Sequence, residues 1–498
     1  MDIALLNTLV ERENGMNVFI IYFLIYAIIG TAIAVASKRV GIKSARDYYI
    51  GGRKIGGILA GATYAATTYS AFMMIGLVGM AYSTGVGTLG FELSYLLSTV
   101  AIFSTVGYEI WKISKERQWI SPSQMLGDLY GSIFLSKFIA LLYIFAMIPY
   151  IAAQIQGLGV IFQIGGMSYE SGVVAAAVIV ALWIAIAGMW SVATTDLYQA
   201  ILMLGGGILF LYVVISMILP FGGSLRAIEV LASSGYLGIM PFWSFPVFLS
   251  YTLPWIFFAI TNPQVVSRLF IQRDEKSYKM SVTFFAAFGL LYTLLAVMIG
   301  LFARYLAING IIPSGLGGNY VTPAILSKLS AIAAGFIGIS IIAAAISTAD
   351  GIILSVSSAI FKDLLGLKDK KVELIATIDV VLTVVASILA YLHPAYIVDL
   401  SVMTSLLLLP LAPVTIAGIA FKNKLGKFSR ASSLASIISG VTIGVYGLYA
   451  NGARRIFTSM LCGLPTSLWV LLISCLVIVI GISIDYQSKL KRHILDLK

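Results

Sequence analysis

At 498 residues the chain could hold several soluble domains, but 60% of it is hydrophobic, only 11% is charged and its mean hydropathy is +0.99. That is too little charge to cover a water-facing surface, and helices apolar on every side belong in lipid. The net charge of +11 sits in short clusters between apolar runs, a pattern of membrane topology rather than of nucleic-acid binding.

The N-terminal segment MDIALLNTLVERENG is acidic and has no basic stretch ahead of a small-residue cleavage site, so no cleaved signal peptide is expected. A span needs about 20 apolar residues, because a rise of ~1.5 Å per residue must cross ~30 Å of hydrocarbon. Thirteen stretches qualify, which predicts an all-α integral membrane protein with about 13 transmembrane helices. In chain order they fall near 17–37, 58–83, 86–111, 137–164, 170–190, 192–220, 241–262, 278–306, 329–361, 373–393, 396–421, 432–450 and 466–485.

An odd number puts the termini on opposite sides, and the basic residues choose the sides. With the N-terminus outside, 26 of the 32 Lys and Arg residues fall on the inner face, including Lys38 to Lys54, Lys112 to Arg117, Arg268 to Lys279 and Lys422 to Arg430. Arg12, Arg226, Arg304, Lys328, Arg454 and Arg455 remain outside. The expected location is therefore the cell membrane, with a cytoplasmic C-terminus and no appended soluble catalytic or signalling domain.

Function is sought where spans carry polar or helix-breaking residues, since pure anchors are uniformly apolar. The second span reads ILAGATYAATTYSAFMMIG, with Thr63, Thr67, Thr68 and Ser70 gathered among small residues. In the seventh, PFWSFPVFLSYTLPWIFFAITNPQ, Pro246, Pro254 and Pro263 each lack a backbone donor. The ninth carries AAAISTADGIILSVSS, with Ser347, Thr348 and Asp350. A helix opened at its midpoint frees carbonyls, which can join hydroxyls in a cage of neutral oxygens for an alkali ion. The alternative is close packing of small residues, which is common in membranes. Glu92 is a lone acid in the third span, a position that marks a functional site by default, and could pair with an ammonium or donate to a hydroxyl. Asp379 and Asp399 also lie near spans, without a role assigned. Cys462 and Cys475 are too few for a disulfide framework, and His393 and His493 have no metal-ligand spacing.

The runs DYYIGGRKIGG at 47–57, AGMWSVATTDLYQA at 187–200 and AAAISTADGIILSVSSAIFKDL at 343–364 resemble hallmark segments of the sodium:solute symporter family. The resemblance implies a leucine-transporter-like core at 58–421, made of two inverted five-helix repeats at 58–220 and 241–421. Residues 1–57 and 422–498 would form peripheral helices and tails. It further implies sodium-coupled symport of a small polar solute, such as an amino acid, carboxylate, vitamin or sugar, with sodium as the cofactor. The expected partners are the solute, the ion and the lipid bilayer, with neither nucleic acid nor an obligate protein partner.

Carried over residue by residue, the sodium ligands would be the carbonyls of Ala66, Tyr69 and Ala344 and the hydroxyls of Ser347 and Thr348. Asp196 would lie in the inner ion path, or serve only as a helix N-terminal acid. Thr68, Ser70, Phe72, Glu92, Trp255, Asn262 and Pro263 would face the solute. The pattern departs at Thr68, where the family's proline carriers have a carboxylate, and at Ala259, which replaces an aromatic; a second ion site on that acid and proline as the solute are not carried over. Proton coupling on the same fold, with Asp196 or Glu92 titrating, is the competing expectation. A membrane solute sensor ranks below it, and an enzyme is not expected, since neither a nucleophile motif nor a metal-ligand cluster is legible in the spans.

Overall fold

The structure is a computed structural model that describes residues 3–367, 373–392, 397–422, 424–452 and 455–496. The His393, Lys368, Lys370, Lys371, Arg454 and Lys498 of the sequence reading lie outside those residues.

Among the described residues, eleven helices are long and apolar enough to cross a membrane, and two further bent pairs bring the number to 13. In order, spans 1 to 6 are Met16–Ser37, Gly57–Thr68 with Phe72–Thr84, Gly87–Arg117, Ile133–Gln163, Tyr169–Ile186 and Gly188–Phe221. Spans 7 to 13 are Phe245–Arg268, Glu275–Ile308, Ala331–Leu364, Leu374–Tyr391, Leu400–Leu408 with Leu411–Ala420, Lys427–Asn451 and Thr466–Leu490. Every expected stretch therefore has its helix. Ile28, Phe145, Leu225 and Val479 are among many large apolar side chains left exposed on the outside of the bundle, where water would be a poor solvent and acyl chains a good one.

One strand pair breaks the all-helical pattern: Met460–Leu461 runs antiparallel to Leu464–Pro465, a small hairpin before span 13. Spans 5 and 6 join through Gly188, whose φ of +54° a side chain would strain and whose added Cβ would come within 2.5 Å of the Tyr48 carbonyl.

Span 9 is the most enclosed element, packed against spans 1, 2 and 4 and against the long helical stretch that carries spans 5 and 6. Span 2 runs beside it, and span 8 covers the other side of span 2. The GGR sequence ahead of span 2 acquires a structural meaning here. Gly51, Gly52 and Arg53 all adopt positive φ (57°, 60° and 59°), a left-handed turn that glycine makes cheaply. The turn points Arg53 at three partners, the Trp119 carbonyl (2.7 Å), the Phe270 carbonyl (3.0 Å) and the Ser114 hydroxyl (3.0 Å). Burial, with Arg46 nearby, pulls this guanidinium down to about 10, so it stays charged at neutral pH while fastening the entrance of span 2 to the exit of span 7.

Candidate functional site

Span 2 stops being helical at Thr68 without any proline. Tyr69 caps it at φ −89°, ψ 88°, the chain resumes as a π-helical turn at Phe72–Leu77, and the two halves meet at a 50° bend. The sequence there is TTYS, where β-branched and hydroxyl residues disfavour the helix and offer the backbone other partners. Ser70 Oγ accepts from the Phe72 amide (3.1 Å), and the Ala71 amide donates across to Gln154 Oε1 on span 4 (3.3 Å). Span 7 is broken twice, at Phe257 and at Asn262, whose extended backbone (φ −87°, ψ 122°) is what Pro263 demands of the residue before it. Pro246, by contrast, sits in the first turn of its helix, where no donor is missed.

The last carbonyls of the first half of span 2 meet span 9. Ser347 Oγ donates to Ala66 O (2.7 Å) and lies 3.0 Å from Ala344 O; Thr348 Oγ1 lies 3.1 Å from Thr67 O and 3.4 Å from Ala66 O. Ala344, Ser347 and Thr348 share one helix face at i, i+3 and i+4. Four of the five expected ion ligands are thus gathered in one fully buried spot. Tyr69 stands at the break itself, its amide bonded to Ala65 O (2.8 Å). The gathered donors are neutral oxygens with no carboxylate among them, a set that suits a weakly charged, hard cation.

Asp196 is not part of that group. It lies eight residues into span 6, beyond the turn where a helix N-terminus would stabilise it, and is fully buried. Thr63 Oγ1 donates to its Oδ2 at 2.5 Å, and Arg268 Nη2 lies 3.7 Å from the same oxygen. Arg268, read from sequence as one of the inner-face loop cations, is instead fully buried at the end of span 7, donating from Nε to Thr63 (3.2 Å) and from Nη1 to Gln264 O (2.9 Å). Asp350 of span 9 is within electrostatic reach of Asp196, Arg268 and Asp379, is fully buried, and has no hydrogen-bond partner on either oxygen among the described residues. Gly351 lets these groups crowd together, since a Cβ there would lie 2.7 Å from Thr67 and 2.8 Å from Arg268 Nη2. Asp379 accepts from the Tyr48 hydroxyl (2.8 Å).

The expected solute residues fall mostly around the break. Phe72 and Trp255 place their ring centroids 5.4 Å apart, joining the broken spans 2 and 7, and Tyr95 meets Trp255 edge-on at 5.1 Å. Glu92 stands one turn before Tyr95 on the same face of span 3 and is buried, as are Thr68, Trp255 and Asn262. Thr68 Oγ1, Glu92 Oε2, Trp255 Nε1 and Asn262 Nδ2 all lack hydrogen-bond partners among the described residues. Asn262 and Pro263 lie about two turns farther along span 7 than Trp255, at its second break. Gln154, Tyr95, Tyr150 and Arg268 were missed as site residues, and Asp350 was noted in its polar run without a role. The rule that flags a lone acid in a span applies to Asp350 as it does to Glu92, and Tyr150 with Gln154 makes a polar i, i+4 pair in an apolar helix.

Opposed broken helices inside a closed bundle of spans are the architecture of secondary carriers. The profile of the "Sodium:solute symporter family" matches residues 48–440, and the chain belongs to that family. The human sodium/iodide cotransporter is 25% identical over 284 residues, covering 53% of this chain but only 41% of that protein. The sodium/pantothenate symporter of Haemophilus influenzae is 24% identical over 381 residues, covering 74% of this chain and 77% of its own. The structure of a Na+-coupled sialic acid symporter in a substrate-bound, outward-open state superimposes with a TM-score of 0.78 at 19% identity, covering 94% of this chain and 97% of that one. The fold is accordingly the predominantly helical, leucine-transporter type with inverted repeats, in a multi-pass membrane protein.

Proposed function

We infer that the chain is a sodium-coupled symporter that carries a small polar solute by alternating access, with its N-terminus outside and C-terminus cytoplasmic. The observation that carries the reading is the meeting of Ala66 O with the Ser347 and Thr348 hydroxyls at the break in span 2. Ala66, Tyr69, Ala344, Ser347 and Thr348 would hold the ion, whose charge is what the site lacks. With a cation bound, the two hydroxyls would turn their protons away from Ala66 and offer lone pairs instead, so ion binding and the packing of span 9 on span 2 are one event. Asp196 of span 6, bonded to Thr63 one turn along span 2 from Ala66, would line the ion path towards the Gly57 end. Thr68, Ser70, Phe72, Glu92, Trp255, Asn262 and Pro263 would face the solute. Because Phe72 packs on Trp255, admitting a solute requires the halves of spans 2 and 7 to part. Within the core at 58–421, the half-helices at the breaks would tilt while the remaining spans stay rigid.

Purified protein in proteoliposomes, assayed for uptake of a labelled solute panel, should accumulate its solute only with an inward sodium gradient. A cysteine replacing the buried Ala259, with Cys462 and Cys475 removed, should react with an impermeant thiol reagent at a rate that sodium and solute change. Equal labelling under all conditions would rule out gating. Buried Asp196, Asp350 and Glu92 favour a second reading, proton coupling; uptake driven by an inward proton gradient without sodium would select it.

A further inference from the structure

The pattern of unpaired donors and acceptors around the break specifies the kind of solute, provided the symporter reading holds. Glu92 has one carboxylate oxygen without a hydrogen-bond partner and forms no ion pair among the described residues, although it is buried. Glu92 stands one turn from Tyr95, whose ring meets Tyr69 of span 2 (6.3 Å) and Trp255 of span 7 (5.1 Å), which places it beside both broken spans. On span 4, Tyr150 and Gln154 share a face at i, i+4. The Ala71 amide donates to Gln154 Oε1, which fixes the orientation of the side-chain amide and leaves Nε2, a donor only, without a partner. On span 7 the Trp255 indole N–H is also unpaired, while its ring packs on Phe72, Tyr95 and Phe258.

Around the break there are thus one buried carboxylate, on span 3, and two neutral N–H donors, on spans 4 and 7, each with an atom left unpartnered among the described residues. A buried carboxylate without a cation is costly, and so are buried N–H groups without acceptors. An anionic solute would satisfy Gln154 and Trp255 but set a second negative charge beside Glu92. A simple amine would neutralise Glu92 and leave both donors empty. A sugar could hydrogen-bond to all three groups but offers Glu92 no cation, so the carboxyl would have to take up a proton instead.

We propose that the solute is a zwitterion, an amino acid with an apolar or aromatic side chain, whose ammonium pairs with Glu92, whose carboxylate accepts from Gln154 Nε2 and Trp255 Nε1, and whose side chain lies against Phe72 and Phe258. Gln154 thereby joins the solute site, and it also ties solute recognition to the backbone break in span 2 through the Ala71 amide.

The test is thermal stabilisation of the full-length purified protein, with sodium or choline as the cation. The probes are L-phenylalanine, L-leucine and L-proline, their carboxylate-only counterparts 3-phenylpropionate and 4-methylpentanoate, the amine 2-phenylethylamine, and D-glucose. Sodium alone should raise the unfolding temperature, and at least one of the amino acids should raise it further while its one-charge counterparts do not. Glu92→Gln should weaken the amino acid at least tenfold while keeping the shift with sodium alone. Gln154→Met should weaken it as well, which provides a second reading should Glu92→Gln fold poorly. A sodium shift together with stabilisation by the carboxylates or glucose, or by no probe at all, overturns the zwitterion and leaves the symporter standing. Amino-acid binding that is indifferent to sodium supports the zwitterion and removes the symporter.

Discussion

Around Ala66, span 2 and span 9 meet through carbonyls and hydroxyls alone, whereas one turn nearer Gly57, around Thr63, the same two spans meet with span 6 and Arg268 through two carboxylates and a guanidinium. Both clusters are buried, yet they keep oxygen in the bilayer by different physics. The neutral cluster satisfies itself: hydroxyls that donate to Ala66 can let go and accept a cation's charge without leaving any ion behind. The charged cluster already contains its cation, covalently attached, so that opening it strands a carboxylate or a guanidinium in a medium that solvates neither. A reversible ion site and a firm closure can therefore sit within ~5 Å of each other along one helix, with Thr67 contributing to the first and Thr63 to the second.

The comparison predicts unequal responses to substitution. The largest belongs to Arg268→Met, which leaves Asp196 buried beside an equally unpaired Asp350 and should cost about 3–5 kcal/mol of stability, read as a large fall in unfolding temperature in detergent. Asp196→Asn combined with it should restore part of the loss, because partners in one ion pair are not additive. A double substitution whose effects simply add would show that 3.7 Å is proximity without coupling.

Next comes Thr63→Val, which keeps the shape but deletes the hydroxyl that donates to Asp196 at 2.5 Å and accepts from Arg268 Nε at 3.2 Å. A hydrogen bond to a charged group is worth about 1.5–3 kcal/mol, so this variant should fall between Arg268→Met and any substitution at the neutral cluster. If it is as mild as Ser347→Ala, the charged cluster is not the firmer of the two.

The spans and their order were legible because lipid imposes a single rule, about 20 apolar residues per crossing, and thirteen runs obey it. Proline marked the break in span 7 because Pro263 forces Asn262 out of the helix. No proline announced the break in span 2; it was recognised by its polar composition and by the family resemblance. Arg268 was misplaced for a physical reason. A basic residue just past an apolar run reads as a loop cation unless its partner is known, and Asp196 is far away in sequence, on another span. Tyr150 and Gln154 escaped notice because amphipathic faces cannot be told from apolar context when the whole helix is apolar.

At the neutral cluster the effect should move from stability to ion binding. Ser347→Ala removes a hydroxyl bonded to Ala66 at 2.7 Å, costing about 1 kcal/mol of stability, as a neutral hydrogen bond does. The sodium concentration for half-maximal stabilisation or uptake should rise by about tenfold, equivalent to ~1.4 kcal/mol of binding. Unchanged sodium dependence would remove Ser347 from the ion site.

The smallest effect separates the chemistry of the ligand from its packing. Thr348→Ser keeps the hydroxyl, which lies 3.1 Å from Thr67 O and 3.4 Å from Ala66 O, and deletes only a methyl group. Thr348→Ala deletes the hydroxyl as well. If span 9 offers span 2 an oxygen for the cation, the serine variant should hold its sodium requirement within about twofold, at the cost of a single buried methyl, ~1 kcal/mol of stability, while the alanine variant joins Ser347→Ala. If serine and alanine lose sodium binding equally, Thr348 acts by its methyl group, filling the contact between the two spans, and the cation must find its oxygens elsewhere along the break. Equal retention in both would point the same way from the other side, because a hydroxyl whose deletion leaves binding intact was never a ligand, whatever its distance from Ala66.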